Sequence, residues 1–298
     1  MVWKLLRPLL SLLLTGLGLL GNISVFVNYM CSLGGGDEKK SVQLILISVV
    51  LTNIILLLSK GLPWTIAALG WKTFLGVLGC TIIVYLERLS RGLSICTSSL
   101  LTVVQASTIS PRSSVWRRLK PRSAWHILPV LLFFWILNSF ISMSLLNVII
   151  ITSMNTSYFI KTDLYCFTVP RSQKISNIFL TFMAVRDAVS LGIMAVASGY
   201  MVFLLYKHHQ HVLYLQNSKL LYKTPPEMKA SQRVLQLMLC FLFFYLTDCW
   251  LSVYLIVATD PVFILALVQE FVTLGFAFLS PFLLIHRNGY LNECWRAR

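Results

Sequence analysis

VQLILISVVLTNIILLLSKGLPWTIAAL, residues 42 to 69, carries one charge, Lys60, in a stretch that would extend about 40 Å as an α-helix. The hydrocarbon core of a bilayer is roughly 30 Å thick and takes about 20 apolar residues in helical form. Apolar side chains fall on every face of this stretch, so it has no polar side to turn to water and reads as a membrane span. Six more such runs lie at about 9 to 30, 74 to 107, 124 to 151, 175 to 206, 234 to 258 and 262 to 285. They are continuous rather than alternating with period two, which excludes a barrel. Composition agrees: 57% of the 298 residues are hydrophobic and 12% charged, leaving too little polar surface for a water-soluble domain of this size. The mean hydropathy is +0.78. No segment between the runs is long enough to fold alone. The expectation is an all-α, seven-helix transmembrane bundle forming one domain over residues 1 to 298, with a basic tail from about 286.

Orientation follows from Lys and Arg in the short loops. The first, third and fifth connections and the tail hold Lys39, Lys40, Arg112, Arg117, Arg118, Lys120, Arg122, Lys207, Lys219, Lys223, Lys229, Arg233, Arg287, Arg296 and Arg298. The opposite side holds only Lys4, Arg7, Lys72, Lys161, Arg171 and Lys174. The richer side is expected to be cytoplasmic, which puts the amino terminus outside and the carboxyl terminus inside a multi-pass plasma-membrane protein. The net charge of +15 then reads as a face for membrane lipid and acidic partners. Its dispersal among short loops argues against nucleic-acid binding.

The first run has Lys4 and Arg7 ahead of it, as a signal peptide would. It stays apolar to Met30, and no Ala precedes Ala67 to form a cleavage site, so a retained helix is expected. Of seven cysteines, Cys80 and Cys166 alone fall at the expected outer face, where oxidising conditions favour a bridge. It would close a loop of roughly 85 residues and contribute on the order of 4 kcal/mol in the chain-entropy model. Cys96, Cys240 and Cys249 read as intramembrane packing residues, Cys31 lies near the inner face, and Cys294 in the tail is a palmitoylation candidate. Topology separates two Asn-x-Ser/Thr sequons: Asn155, in the second outer loop, is open to a glycan, whereas Asn22 is buried in the first span.

Charges within the spans are costly unless paired or wet, and they mark functional candidates. They balance: Lys60, Arg88, Arg91 and Arg186 against Glu87, Asp187, Asp248 and Glu270. Glu87 and Arg91 are spaced for a pair on one helix, while Arg186 and Asp187, adjacent in sequence, are expected to point different ways. Glu87 lies about 10 Å below Cys80, Glu270 about 12 Å below the start of the last run, and Asp248 about 22 Å above the start of the sixth. With Arg91 one turn deeper, these residues are candidates to line one polar cavity in the outer half, suited to a small molecule, or to serve as structural pairs. Signals for an enzyme, a cofactor or a metal are weak. There is no His-Glu-x-x-His or Gly-x-Ser-x-Gly, Gly34-Gly35-Gly36 reads as a turn, and His208, His209 and His211 read as part of a solvated basic loop.

Seven helices, an outer amino terminus, a bridge from the third helix and basic inner loops together resemble a G protein-coupled receptor. Gly21-Asn22 matches that superfamily's Gly-Asn pair, and Ser280-Pro281 falls where its last helix carries Asn-Pro. The departures are as telling. Val104-Gln105-Ala106 replaces the acidic-Arg-aromatic triplet, Cys249-Trp250 lacks the following Pro, and Leu284 stands where Tyr is usual. LSKGLPWTIAALG at 58 to 70 and RGLSICTSSLLTVVQASTISPRSSVWRRLK at 91 to 120 look like signatures of vomeronasal type 1 receptors. LGIMAVASGYMVFLLYKHHQHV at 191 to 212 and LSPFLL at 279 to 284 extend the resemblance to the end of the seventh run.

What the resemblance implies is chemosensory reception, with a small pheromone or odorant bound from outside and a heterotrimeric G protein activated inside. On that reading Gln105, Arg117, Arg118, Lys120, Lys229 and Arg233 form the coupling face, and the fifth and sixth helices move. Bitter taste receptors are the nearest rival within the superfamily, though the Cys80 and Cys166 pair and the Thr108-Ile109-Ser110-Pro111 stretch fit them less well. From another class, a small-solute transporter or channel would use the same charges as a path, but seven spans do not split into inverted halves.

Overall fold

The computed structural model describes residues 2–31, 37–70, 76–111, 113–121, 123–143, 148–151, 167–170, 173–216, 226–257 and 263–287. In chain order these form α1 (Val2–Cys31), α2 (Asp37–Leu56), a π-helical turn (Leu57–Gly61), α3 (Leu62–Ala68), α4 (Val77–Ile109), α5 (Val115–Arg118), a 3-10 turn (Ala124–His126) and α6 (Ile127–Ser142). Strands β1 (Val148–Ile151) and β2 (Phe167–Pro170) follow, then α7 (Gln173–Gln216), α8 (Pro226–Val257) and α9 (Phe263–Arg287). Cys166, Asn155, Cys294, Gly34-Gly35-Gly36, Arg112 and Arg122 lie outside the described residues.

Among the described residues, six helices are long and apolar enough to cross a membrane, and α6 is a shorter apolar helix. Its 16 residues span about 24 Å. The fourth run was expected to be helical through residue 151, but the helix ends at Ser142 and residues 148 to 151 form β1. Val148, Ile149, Ile150 and Ile151 are β-branched, a composition that favours extended backbone. β1 pairs antiparallel with β2, Val148 opposite Pro170 and Ile151 opposite Phe167. A small hairpin is thus added to the expected helical bundle. α7 is also longer than expected. It runs 44 residues to Gln216, so His208, His209 and His211 stand on its last turns rather than in a loop.

α4 is the axis of the bundle. It packs against α2, α6, α7 and α8, while α1 and α9 close the ring on the other side. About 72% of its apolar window is buried, against 28% for α1 and for α7. That position explains why α4 has the lowest mean hydropathy of the six spans, 1.3. Its polar residues face protein, and several of its hydroxyls bond within the helix: Thr97 donates to the Leu93 carbonyl at 2.7 Å, Thr102 to Ser98 at 2.8 Å and Ser110 to Ala106 at 2.6 Å. Thr15 meets Thr65 and Asn22 meets Asn53, so α1 and the second span run antiparallel.

Two prolines shape the bundle. Pro63 follows the π-helical turn, where a continuous α-helix would drive its ring into the carbonyl of Ser59. The extra residue per turn absorbs that clash. Pro281 has no N–H, which leaves the carbonyl of Ala277 without its helical partner. Asn22 supplies one, donating Nδ2 to Ala277 O at 2.7 Å and also to Gly18 O at 2.7 Å. Asn53 joins by donating to Asn22 Oδ1 at 3.2 Å and to Ser280 Oγ at 2.8 Å. Gly21 makes this approach possible, since a Cβ there would sit 3.0 Å from Pro281 Cγ. Asn22 is fully buried, in keeping with a sequon that takes no glycan. Asn22→Leu would orphan the Ala277 carbonyl and remove one of the two acceptors of Asn53, and should destabilise the bundle by about 1–3 kcal/mol, read as a lower melting temperature of the purified protein in detergent.

Candidate functional site

Seven of the eight intramembrane charges meet in one layer across the bundle, and the π-helical turn is what brings Lys60 into it. Lys60 is 7% exposed and donates to Glu87 Oε1 on α4 at 2.8 Å, with Glu270 Oε2 on α9 at 3.8 Å. One turn along α4, Arg91 pairs with Asp248 on α8. Asp248 also accepts from Thr273 Oγ1 on α9 at 2.7 Å. The expected pair on a single helix is therefore replaced by two pairs between helices. Glu87 and Arg91 each reach a partner on a different neighbour, which lets two ion pairs form where one would have left Asp248 without its cation.

The layer continues through Tyr245 on α8. The Arg91 guanidinium lies 5.6 Å from the Tyr245 ring centroid, and the Tyr245 hydroxyl donates to Asp187 Oδ2 on α7 at 2.6 Å. Arg186 and Asp187 do not point different ways. Arg186 Nε and Nη2 both reach Asp187 Oδ1, at 2.8 and 2.7 Å, and Nη1 donates to Asn138 Oδ1 on α6 at 2.8 Å. Asn138 is fully buried and in turn donates to the Phe134 carbonyl at 2.8 Å. Gly92 is the seat of this corner, because a Cβ there would collide with the Asn138 amide oxygen and the Arg186 guanidinium.

Glu87, Arg91 and Asp248 line a cavity of about 50 Å³ together with Leu56, Ser94, Phe241, Phe244, Tyr245, Val272, Thr273 and Phe276. Glu270 stands beside it through Lys60 but is not in its wall. The cavity lies against the charge layer, and in its apolar wall Phe241 and Phe276 meet edge to face with ring centroids 4.9 Å apart. The Arg91 side chain is 32% exposed while Asp248 is 5% exposed, so the cation is the accessible member of its pair. Three of the four residues that the sequence offered for a ligand cavity thus share one wall. Sequence reasoning gave no place in that wall to Tyr245 or Thr273, named Lys60 only among the intramembrane charges, and gave Asn138 no part in the layer. Lys60 had a signal, a cation within an apolar run three residues before a proline. Trp250, which stands out in the sequence, is 64% exposed and faces away from the cavity.

At the other end of α4 the buried groups among the described residues are uncharged. Gln105 is 4% exposed, some 27 Å along the helix from Glu87. Past it, Tyr200 of α7 stacks on Trp116 of α5 with ring centroids 5.1 Å apart, and its hydroxyl meets Ser110 at 3.3 Å and Ser114 at 3.1 Å. Arg117 donates to the Thr108 carbonyl at 3.2 Å, Arg118 is exposed and Lys120 half-buried. Lys229 and Arg233 lie in the first turns of α8. Among the described residues no group of His, Cys, Asp and Glu is placed to hold a metal ion.

A sequence profile of the vomeronasal organ pheromone receptor family matches residues 10–297. The chain belongs to that family. It is 31% identical over 272 residues to human vomeronasal type-1 receptor 4, covering 91% of this chain and 90% of that receptor. Rat vomeronasal type-1 receptor 92 is 30% identical over 281 residues, with 94% and 91% covered. Mouse vomeronasal type-1 receptor 50 is 32% identical over 275 residues, with 92% and 88% covered. Vomeronasal receptors are chemosensory receptors of the G protein-coupled type and multi-pass membrane proteins, not enzymes, which accords with the spanning helices.

In this vomeronasal receptor the Lys60–Glu87 pair joins the second span to the axial helix. Lys60→Met should leave two carboxylates without their cation and cost about 3–5 kcal/mol, seen as a fall in melting temperature and surface yield. Adding Glu87→Gln to Lys60→Met should cost less than the sum of the single losses, and a thermal-melt double-mutant cycle measures that coupling.

Proposed function

We propose that the chain is a single-domain receptor with its amino terminus outside the plasma membrane, binding a small pheromone or odorant in the cavity beside Arg91, Asp248 and Glu87. The observation that carries this reading is the cavity itself. An accessible cation and two carboxylates form its polar wall and Phe241, Phe244 and Phe276 its apolar one, a combination suited to a small amphipathic molecule. Because the charged groups of the wall are already paired, Arg91 with Asp248 and Glu87 with Lys60, the ligand is a neutral molecule with a hydrogen-bonding head, which adds no uncompensated charge. Ligand contacts are assigned to Glu87, Arg91 and Asp248, with Glu270 acting through Lys60.

On the opposite face, Gln105, Arg117, Arg118, Lys120, Lys229 and Arg233 are assigned to engagement of a heterotrimeric G protein. What supports this is the basic, partly exposed surface beyond α4 and its distance from the cavity, which requires the helices to carry the signal. A ligand does so only by binding the active arrangement better than the resting one. The test is guanine-nucleotide exchange on a purified heterotrimer by the receptor in lipid nanodiscs, screened against small hydrophobic molecules. Ligand flux into vesicles without exchange would overturn the reading in favour of transport. Neutralising Arg117, Arg118 and Lys120 together should lower exchange about tenfold while leaving ligand affinity, measured without G protein, unchanged.

The roof of the cavity is assigned to the segment after β1, held by a Cys80–Cys166 bridge and carrying a glycan at Asn155. Three observations support the bridge: Cys80 is disulfide-bonded, β1 touches α4, and β2 begins one residue after Cys166. Cys80→Ala and Cys166→Ala should lower surface expression to similar degrees, with the double variant no worse than either, by surface labelling of an epitope fused to the amino terminus. Losses that add would separate the two cysteines. The same label, if reached only after permeabilisation, would reverse the orientation.

A further inference from the structure

We propose that the hydrogen bond from Tyr245 to Asp187 is the tie that holds the receptor at rest, and that occupation of the cavity breaks it. The inference rests on the receptor reading above and names the residue pair through which the cavity acts on the helices.

Tyr245 both lines the cavity and grips α7. Its ring lies between the Arg91 guanidinium, 5.6 Å from the centroid, and the Phe241 ring at 5.7 Å. Its hydroxyl reaches past the cavity wall to Asp187 Oδ2 at 2.6 Å. α7 packs mainly on α4 and α8 mainly on α9, with few contacts between α7 and α8 themselves. A short bond to a carboxylate therefore spans two helices that otherwise touch little.

Asp187 cannot follow if Tyr245 moves. Its other oxygen takes both Arg186 Nε and Nη2, and Arg186 is in turn fixed to Asn138 and seated on Gly92. The α7 end of the tie is rigid, whereas the α8 end is a ring on one side of a small cavity. A molecule that inserts an apolar part between Phe241, Phe276 and Tyr245, or takes up the Arg91 guanidinium, must displace that ring. Displacing it by more than a few tenths of an ångström weakens so short a bond, and its loss leaves α8 free to separate from α7.

The test needs no ligand. Tyr245→Phe removes the hydroxyl and keeps the ring, so the cavity wall and the contact with Arg91 persist. Two readouts are taken on the full-length receptor in nanodiscs: ligand-free guanine-nucleotide exchange on a purified heterotrimer, and the α7 to α8 distance by pulsed electron paramagnetic resonance. Spin-labelled amino acids at the exposed positions Phe203 and Gln232 report that distance. Tyr245→Phe should raise ligand-free exchange about tenfold and add a longer-distance population, as expected when a charge-assisted bond favouring one of two states is lost. A longer distance with no exchange by variant or parent upholds the tie and overturns coupling to that G protein. An unchanged distance, whatever the exchange rate, overturns the tie. Should Tyr245→Phe fail to reach the membrane, Asp187→Asn replaces the charged acceptor with a neutral one. It should shift the distance in the same direction at smaller amplitude, and no shift would overturn the proposal.

Discussion

A charge in the interior of a bilayer bundle must find its opposite, and the arrangement of this receptor follows from meeting that requirement at three cations. Lys60, Arg91 and Arg186 each lie within reach of a carboxylate, and the partners come from different helices in two of the three cases. Isolated pairs of this kind add little net stability, because desolvation offsets most of the attraction. Breaking one is expensive all the same. The layer therefore fixes which helices are neighbours and at what height, and the second, third, fifth, sixth and seventh spans are held in register by groups that tolerate no slip.

That register depends on places where the backbone departs from an ideal helix. The π-helical turn before Pro63 rotates Lys60 inward, so a proline that would otherwise break the span instead delivers a cation to Glu87. Pro281 frees a carbonyl that Asn22 then claims, joining α1 to α9 without any charge. Gly92 withholds a side chain so that Asn138 and Arg186 can reach α4. In each case a residue with an unusual backbone or no side chain sits close to the polar contact that needs it.

This explains what was legible in the sequence and what was not. Length and hydropathy located six spanning helices and the shorter α6, and counting residues along the third, sixth and seventh runs put Glu87, Arg91, Asp248 and Glu270 in the outer half, where one cavity wall holds the first three. Partner choice was beyond that reasoning. Spacing of four residues offers Glu87 and Arg91 to each other, but the π-helical turn brings Lys60 to Glu87, and no one-dimensional count contains that rotation. Likewise the end of α6 was missed because an isoleucine-rich stretch is equally apolar as helix and as strand. Tyr245 was missed because an aromatic in an apolar run carries no mark of its hydroxyl's destination. Trp250 drew notice as a motif residue and turns out to face away from the bundle interior.

The two ends of α4 differ in kind, and that difference bears on how easily each end can rearrange. At the cavity end, contacts are ionic and within a low-dielectric interior, so any rearrangement must exchange one partner for another rather than simply let go. At the far end, Gln105 is a buried neutral amide, and Tyr200 is held by two serine hydroxyls and a stacked Trp116, interactions that water can replace at small cost. The axial position of α4, in contact with both α7 and α8, makes it the common support on which those two helices, which touch each other little, are packed.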